Sequence, residues 1–475
     1  MSTELLHKAY DSRLFSEQGN DLIQQISHHL EQNTTGQNKT MNTWVEPQEE
    51  YAFWKSYTEE NHDTSSFFET VLKRSIHIHH PHYIGHQVAP TVPVSALATL
   101  LSAQLNNGMA VYEMGQASSA IERVVIAFFT ETIGWANGDG FLTSGGTLAN
   151  LTALLAARKA KAPSDIWNDG HDHKLAIMVS EEAHYCVDRS ARIMGLGEAG
   201  IIKVPVGEDY KIRTDLLQSY HDQAVQNGFE VIAIIGSAPS TSTGIYDDLE
   251  EVSAFAKANN LWFHIDGAHG GAAIFSQKYK RLLKGITEAD SIIIDGHKMM
   301  GTSSITTAVL FKNTADSYAT FSQKAQYLWE QNDDPDWYNL AKRTFECTKS
   351  MMSLRFYAIL NAYGVAFFDD FVTTLYDSAH EFSEYLKESP DFEIALEAQS
   401  NIVCFRYTEG IPKAQIQEVN KAIRKALLED GEFYIVSTVL KGEMWLRTTF
   451  MNPFTTEVHT KKLVEKIRTI ATRIK

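Results

Sequence analysis

The chain has 475 residues, 44% hydrophobic and 21% charged, which suits one large globular domain with smaller attachments and excludes a disordered or fibrous chain. Against 42 Lys and Arg stand 59 Asp and Glu, a net charge of −17 with no basic block, so no nucleic-acid partner is expected. The longest apolar runs, such as Val231 to Ile235, cannot cross a bilayer, the N-terminus lacks a secretory apolar stretch, and Cys186, Cys347 and Cys404 form no Cys-x-x-Cys pair; a soluble, cytoplasmic protein without disulfide framework or zinc ribbon is predicted.

In chain order, residues 1–90 are predicted to form an N-terminal arm of amphipathic helices, broken by a polar stretch from Asn33 to Thr43 and too poor in apolar positions to close a core. Residues 91–350 are predicted to form a large α/β domain. Within it, a helix from Leu148 to Lys161 precedes a strand at Leu175 to Val179, a helical segment through Met194 and a strand at Ile201 to Val206. A helix from Thr214, a strand at Val231 to Ile235, a helix from Asp248 and strands at Leu261 to Ile265, Ser291 to Ile294 and Thr306 to Phe311 follow. This alternation predicts a mainly parallel sheet covered on both faces. Residues 351–475 return to helical periodicity through Tyr385 and end in a small α+β domain, with strands at Ile402 to Tyr407, Phe433 to Leu440 and Trp445 to Phe450 and helices after Pro412 and Thr456.

Ligands of an open parallel sheet gather beyond the carboxyl ends of its strands. The predicted strands send His184, Ser240, Thr241, Asp266, His297 and Lys298 to that edge. Thr143-Ser144-Gly145-Gly146-Thr147 opens the helix from Leu148, where glycines permit close backbone approach and amides and hydroxyls can hold an anion. A phosphate cup, a strand-end carboxylate and a strand-end lysine are together what pyridoxal phosphate requires: an anchor, a partner for the ring nitrogen and an amine to carry the aldehyde. Singly, each is commonplace as a turn, a helix cap or a solvated charge.

Thr143 to Asn150 (TSGGTLAN), His184-Tyr185, His264 to Gly271 (HIDGAHGG) and Asp295-Gly296-His297-Lys298 resemble the ordered signatures of the group II pyridoxal-phosphate-dependent decarboxylases, which include glutamate, aromatic amino acid, cysteine sulfinate and diaminobutyrate decarboxylases. The resemblance runs from about His79 to Arg447. It implies the aspartate aminotransferase-like fold of type I, a homodimer with active sites at the subunit interface, and decarboxylation of an L-amino acid to its amine.

The resemblance also assigns roles. Lys298 carries the cofactor, Asp266 pairs with the ring nitrogen, His184 stacks on the ring, and Ala268 packs beneath it. Gly145, Gly146, Thr147 and His297 hold the phosphate, and Ser240 or Thr241 falls where the family places a hydroxyl near the ring oxygen, although the usual Gly-Thr-Thr is absent. Arg447 matches an arginine that can meet a substrate carboxylate, with a structural ion pair as its competitor. Glu113 lies where relatives acting on diamino acids carry an aspartate; a carboxylate near the side-chain pocket would favour a cationic substrate, and a dimer-interface salt bridge is an equal alternative. The family's proton donor is a loop tyrosine; Tyr327 and Tyr338 are at hand, yet the family position itself aligns near Asp334. Oxidative deamination to an aldehyde, amino transfer, or a catalytically silent scaffold therefore stay open beside decarboxylation.

Two other signals carry less. Gly195 to Gly200 spells a dinucleotide fingerprint, but a helix precedes it and a strand follows, the reverse of what that fingerprint needs. The histidine-rich stretch His77, His79, His80, His82 and His86 has no accompanying Cys or acid cluster for a metal; in the family this segment lies near the active-site mouth, which makes His86 a substrate-side candidate.

Overall fold

A computed structural model describes residues 3–170, 172–321 and 337–474. The chain divides into two compact units, one of residues 87–383 and 396–403, the other of residues 1–86, 384–395 and 404–475.

The larger unit is built on a seven-stranded sheet: β1 Asp139–Thr143, β2 Leu175–Ser180, β3 Ile201–Val204, β4 Glu230–Ser237, β5 Trp262–Asp266, β6 Ser291–Asp295 and β7 Thr307–Phe311, in the order β1-β7-β6-β5-β4-β2-β3. The pairs β2–β3, β2–β4, β4–β5 and β5–β6 are parallel. β7 is antiparallel to both β6 and β1, so β1 runs in the same direction as the parallel set. Covered on both faces, β2 and β6 are buried along their whole length, which is why they read as unbroken apolar runs. The helix Gly146–Lys161 crosses β4 to β7, and its buried face is mostly small, with Ala149, Ala153, Ala156 and Ala157, letting it lie close to the strands.

The parallel core follows the sequence expectation, with three differences. β1 was not anticipated, because it opens on Asp139-Gly140 and offers only Phe141 and Leu142 as apolar signal. Strand β3 ends at Val204 rather than Val206, since Pro205 lacks the amide a ladder needs. The long helical segment breaks at Gly364, with φ +71°, into Ser353–Tyr363 and Ala366–Lys387.

The smaller unit contains the arm helices Glu4–Ala9, Ser12–Thr34, Pro47–Tyr57 and Thr64–Arg74. The second sheet, β8 Phe392–Ile394, β9 Ile402–Tyr407, β10 Val436–Leu440 and β11 Glu443–Thr449, is ordered β10-β11-β9-β8. β10 and β11 join through Lys441 and Gly442, both at positive φ, the two-residue turn that matches strand twist. The helices Ile416–Asp430 and Glu457–Ile474 complete the unit. Among the described residues no helix is long and apolar enough to cross a membrane.

Candidate active site

Because β1 shares the direction of the parallel strands, Thr143, Ser180, Ser237, Asp266 and Asp295 all end strands at one edge. A cavity of about 200 Å³ opens there, lined among others by Gly146, Thr147, His184, Thr241, Asp266, Ala268, His297 and Lys298.

The anion end is the start of the helix Gly146–Lys161. Its N-cap is Gly145, at φ +93°, and no side chain caps it, so the first amides keep their donors for a ligand. At Gly146 a Cβ would come within 3.3 Å of Asp295 Oδ1 and 3.4 Å of Ala268 Cβ, so the absence of a side chain keeps the cup shallow and open. The hydroxyls of this motif behave differently from expectation. Ser144 Oγ donates to Glu346 Oε1 at 2.8 Å and Thr143 Oγ1 to the same atom at 3.2 Å, which leaves the anion to the amides and to Thr147.

At the other end stand a carboxylate and an amine. Asp266 terminates β5; its Oδ1 accepts the Ala268 amide at 3.2 Å and its Oδ2 accepts Asn150 Nδ2 at 3.2 Å. Burial raises its pKa, while His184, Lys298 and the Ala268 amide pull the other way. Lys298 Nζ lies 3.1 Å from Asp295 Oδ2. His297 is held by Thr306, whose carbonyl is 3.0 Å from Nδ1 and whose amide is 3.2 Å from the same nitrogen. His184 caps the helix Tyr185–Ile193 by accepting the Cys186 amide at 3.3 Å, and burial lowers its pKa against the opposing pull of Asp266. Uncapped amides, a carboxylate and a primary amine in one cavity are a donor set that fits pyridoxal phosphate.

Nine predicted residues thus line one cavity, and Gly145 borders it as the N-cap. Thr241 and Ser240 both line it, and Ser240 Oγ is shared with Ser242 Oγ at 2.8 Å. Glu113 does not line it: it is exposed on the short turn Tyr112–Met114. His86 and Arg447 belong to the smaller unit, where Arg447 is buried on β11 and the His86 ring sits 5.8 Å from that of Tyr434. Tyr327 lies outside the described residues; Tyr338 packs edge-on to Tyr112 at 5.4 Å. Sequence reasoning assigned no role to Asn150 or Asp295. The signal for Asn150 was its place one helical turn after Gly146, and for Asp295 its place at the end of an apolar strand.

The family model of the pyridoxal-dependent decarboxylase conserved domain matches residues 54–408. The chain is 28% identical to an L-2,4-diaminobutyrate decarboxylase of Acinetobacter baumannii, over 86% of this chain and 83% of that protein. It is 27% identical to an aromatic-L-amino-acid decarboxylase of Bacillus atrophaeus, over 85% and 84% respectively. Among solved structures, the glutamate decarboxylase domain of the diaminobutyrate-pyruvate transaminase and L-2,4-diaminobutyrate decarboxylase from Vibrio parahaemolyticus superposes with a TM-score of 0.82 at 25% identity, covering 97% of this chain and 96% of that one. Mouse CSAD gives a TM-score of 0.90 at 20% identity, covering 97% and 99%, a likeness of fold. With the model spanning most of the chain and the cavity holding the residues such a cofactor needs, this chain belongs to the pyridoxal-dependent decarboxylase family, enzymes that use pyridoxal phosphate to decarboxylate amino acids.

Proposed function

We propose that this cavity seats pyridoxal phosphate with Lys298 as its covalent carrier, and that the chain decarboxylates an L-amino acid, with a diamino acid such as 2,4-diaminobutyrate as the leading substrate. The observation that carries the reading is the meeting of the Lys298 amine, the Asp266 carboxylate and the uncapped Gly146–Lys161 helix start in one cavity. Bound pyridoxal phosphate supplies the electron sink for the pair left at Cα when the α-carboxylate departs as CO₂.

The chain's own residues do the rest. The amides around Gly145, Gly146 and Thr147, with His297, hold the phosphate. Asp266 would keep a proton on the ring nitrogen, His184 and Ala268 would pack against the ring, and Thr241 or Ser240 would meet its hydroxyl. Their joint work is orientation, so that the bond to the carboxylate is the one that breaks. Tyr327 is the proposed proton donor to Cα, on the family resemblance alone; the same holds for Arg447 and His86 as substrate-side residues.

A homodimer is proposed on two grounds. The helix Pro93–Leu105 exposes Leu97, Leu100, Leu101 and Leu105, an apolar stripe at helical spacing that a second subunit would cover. Glu113 is exposed and does not line the cavity described above, so in a dimer its carboxylate is available to a cationic side chain in the neighbouring site. The three cysteines are all free, which supports a reducing, cytoplasmic setting.

The test is to supply purified protein with pyridoxal phosphate and a panel of diaminobutyrate, lysine, glutamate, cysteine sulfinate and tyrosine, measuring CO₂, amine, ammonia and peroxide separately. Equal CO₂ and amine, highest with diaminobutyrate, is expected. CO₂ with ammonia and no amine would shift the reading to oxidative deamination. No visible cofactor band and no product would leave a silent scaffold.

A further inference from the structure

Asp266 stands at the end of a run of buried hydrogen bonds. Trp262 Nε1 is 2.8 Å from Ser291 Oγ, which is 2.8 Å from His264 Nδ1; His264 Nε2 is 2.8 Å from Asn150 Oδ1, and Asn150 Nδ2 is 3.2 Å from Asp266 Oδ2. The topology makes this possible. Trp262, His264 and Asp266 alternate onto one face of β5, Ser291 is the register partner of His264 on β6, and Asn150 reaches that face from the helix Gly146–Lys161.

The direction of every hydrogen bond follows from the two ends. An indole N–H only donates and a carboxylate only accepts. Asn150 must therefore turn its amide nitrogen to Asp266 and its oxygen to His264, so His264 Nε2 carries a hydrogen. Burial lowers the His264 pKa to about 3, so the ring is neutral and has no second N–H. Nδ1 is then the acceptor, the Ser291 hydroxyl donates to it, and the Ser291 oxygen receives the indole. The remaining Asn150 N–H faces Cys186 Sγ at 3.3 Å. All four bonds donate toward Asp266, and such aligned chains polarise one another in a low-dielectric interior.

We propose that Asn150 and His264 are positioning residues for Asp266: this polarised chain keeps the carboxylate ionised and aimed, and so sets how strongly the site holds a protonated ring nitrogen. The proposal rests on the pyridoxal phosphate reading above. Its physical need is plain, since burial alone drives Asp266 toward the neutral acid, and a donated hydrogen bond favours the anion.

The test compares wild type, Asn150→Ala, His264→Leu and His264→Gln for the dissociation constants of pyridoxal phosphate and of its 1-deaza analogue, in which carbon replaces the ring nitrogen, and for the ¹⁵N shift of the bound ring nitrogen. Loss of a hydrogen bond to a charged group should weaken pyridoxal phosphate by roughly ten- to a hundredfold in Asn150→Ala and His264→Leu. Affinity for the deaza analogue should hold, and the ¹⁵N shift should move toward the unprotonated value. His264→Gln, which can still donate to Asn150 and accept from Ser291, should restore most of both. Unchanged affinity and shift in the two truncations, or equal losses for both cofactors, would overturn the proposal. If Asn150→Ala does not fold, the His264→Leu and His264→Gln pair decides alone. A wild type that binds no pyridoxal phosphate would instead sink the reading of the site itself.

Discussion

Lys298 Nζ lies 3.1 Å from Asp295 Oδ2, three residues back along the chain, and Asp295 is 2% exposed. Its other oxygen accepts the hydroxyl of Thr307 on β7. Removing the amine leaves a buried carboxylate with one polar partner lost. Lys298→Met is therefore expected to destabilise the cofactor-free protein by about 1–3 kcal/mol, and the double variant with Asp295→Asn to recover most of that loss. Urea denaturation reads both. Borohydride trapping of cofactor should vanish in Lys298→Met and persist in Asp295→Asn; trapping that survives without Lys298 would place the covalent link elsewhere.

Gly145 sits at φ +93° as the cap of the helix whose amides face the cavity. An L side chain at such an angle costs about 1–2 kcal/mol, and relieving it turns the first amides away from the ligand. Gly145→Ala should weaken pyridoxal phosphate by about tenfold while changing the affinity for unphosphorylated pyridoxal little. Equal losses for both would mean that the cup does not hold the phosphate.

The parts of this molecule that were legible in the sequence are those where one element carries its own signal. β2, β5 and β6 are buried runs bounded by polar residues, and each delivers a site residue at its end or within a few residues of it, so His184, Asp266 and Lys298 could be placed without knowing the strand order. Strand β1 was hidden because its five residues are buried by partners distant in the chain, with Asp139 in place of an apolar residue. The positions of Asn150 and Asp295 were the only signal they offered, and it was weak, since an Asn in a helix and an Asp at a strand end also read as ordinary capping or surface residues. Glu113 was placed by alignment to relatives rather than by any periodicity, and it falls on an exposed turn.

Strand β1 is also held by a buried ion pair from outside the strand. Lys349 Nζ donates to Glu122 Oε1 at 2.5 Å and to the Leu142 carbonyl, while the Leu142 amide donates to Glu122 Oε1 at 2.9 Å, so one ion pair clamps both backbone groups of a single strand residue. Burial lowers the Lys349 pKa and Glu122 raises it. Lys349→Met breaks a buried pair and should cost about 3–5 kcal/mol, with Glu122→Gln added to it regaining a substantial part. Chemical denaturation of Lys349→Met, Glu122→Gln and the double variant checks this; additive losses would show that the two side chains act independently.

The smaller unit carries a pH dependence in its histidines. His82 stacks on Phe433 at 3.9 Å, and its Nδ1 is 3.0 Å from the Glu432 carbonyl, to which it must donate; burial and then neighbouring His80 lower its pKa to about 3. His77 packs 4.7 Å from His29, and burial followed by the influence of His29 lowers it to about 4. In an unfolded chain both titrate near ~6.5. Between these limits the unfolded chain binds protons that the folded one refuses, so stability is fully present above about pH 6.5 and falls as the pH drops toward 4. Urea midpoints measured from pH 7.5 down to 4.5 should decline steadily over that window. His82→Gln keeps a donor for the Glu432 carbonyl without a titrating ring, so it should be weaker than wild type at pH 7.5 yet lose less on acidification. A slope as steep as that of wild type would show that His82 is free to protonate in the folded protein.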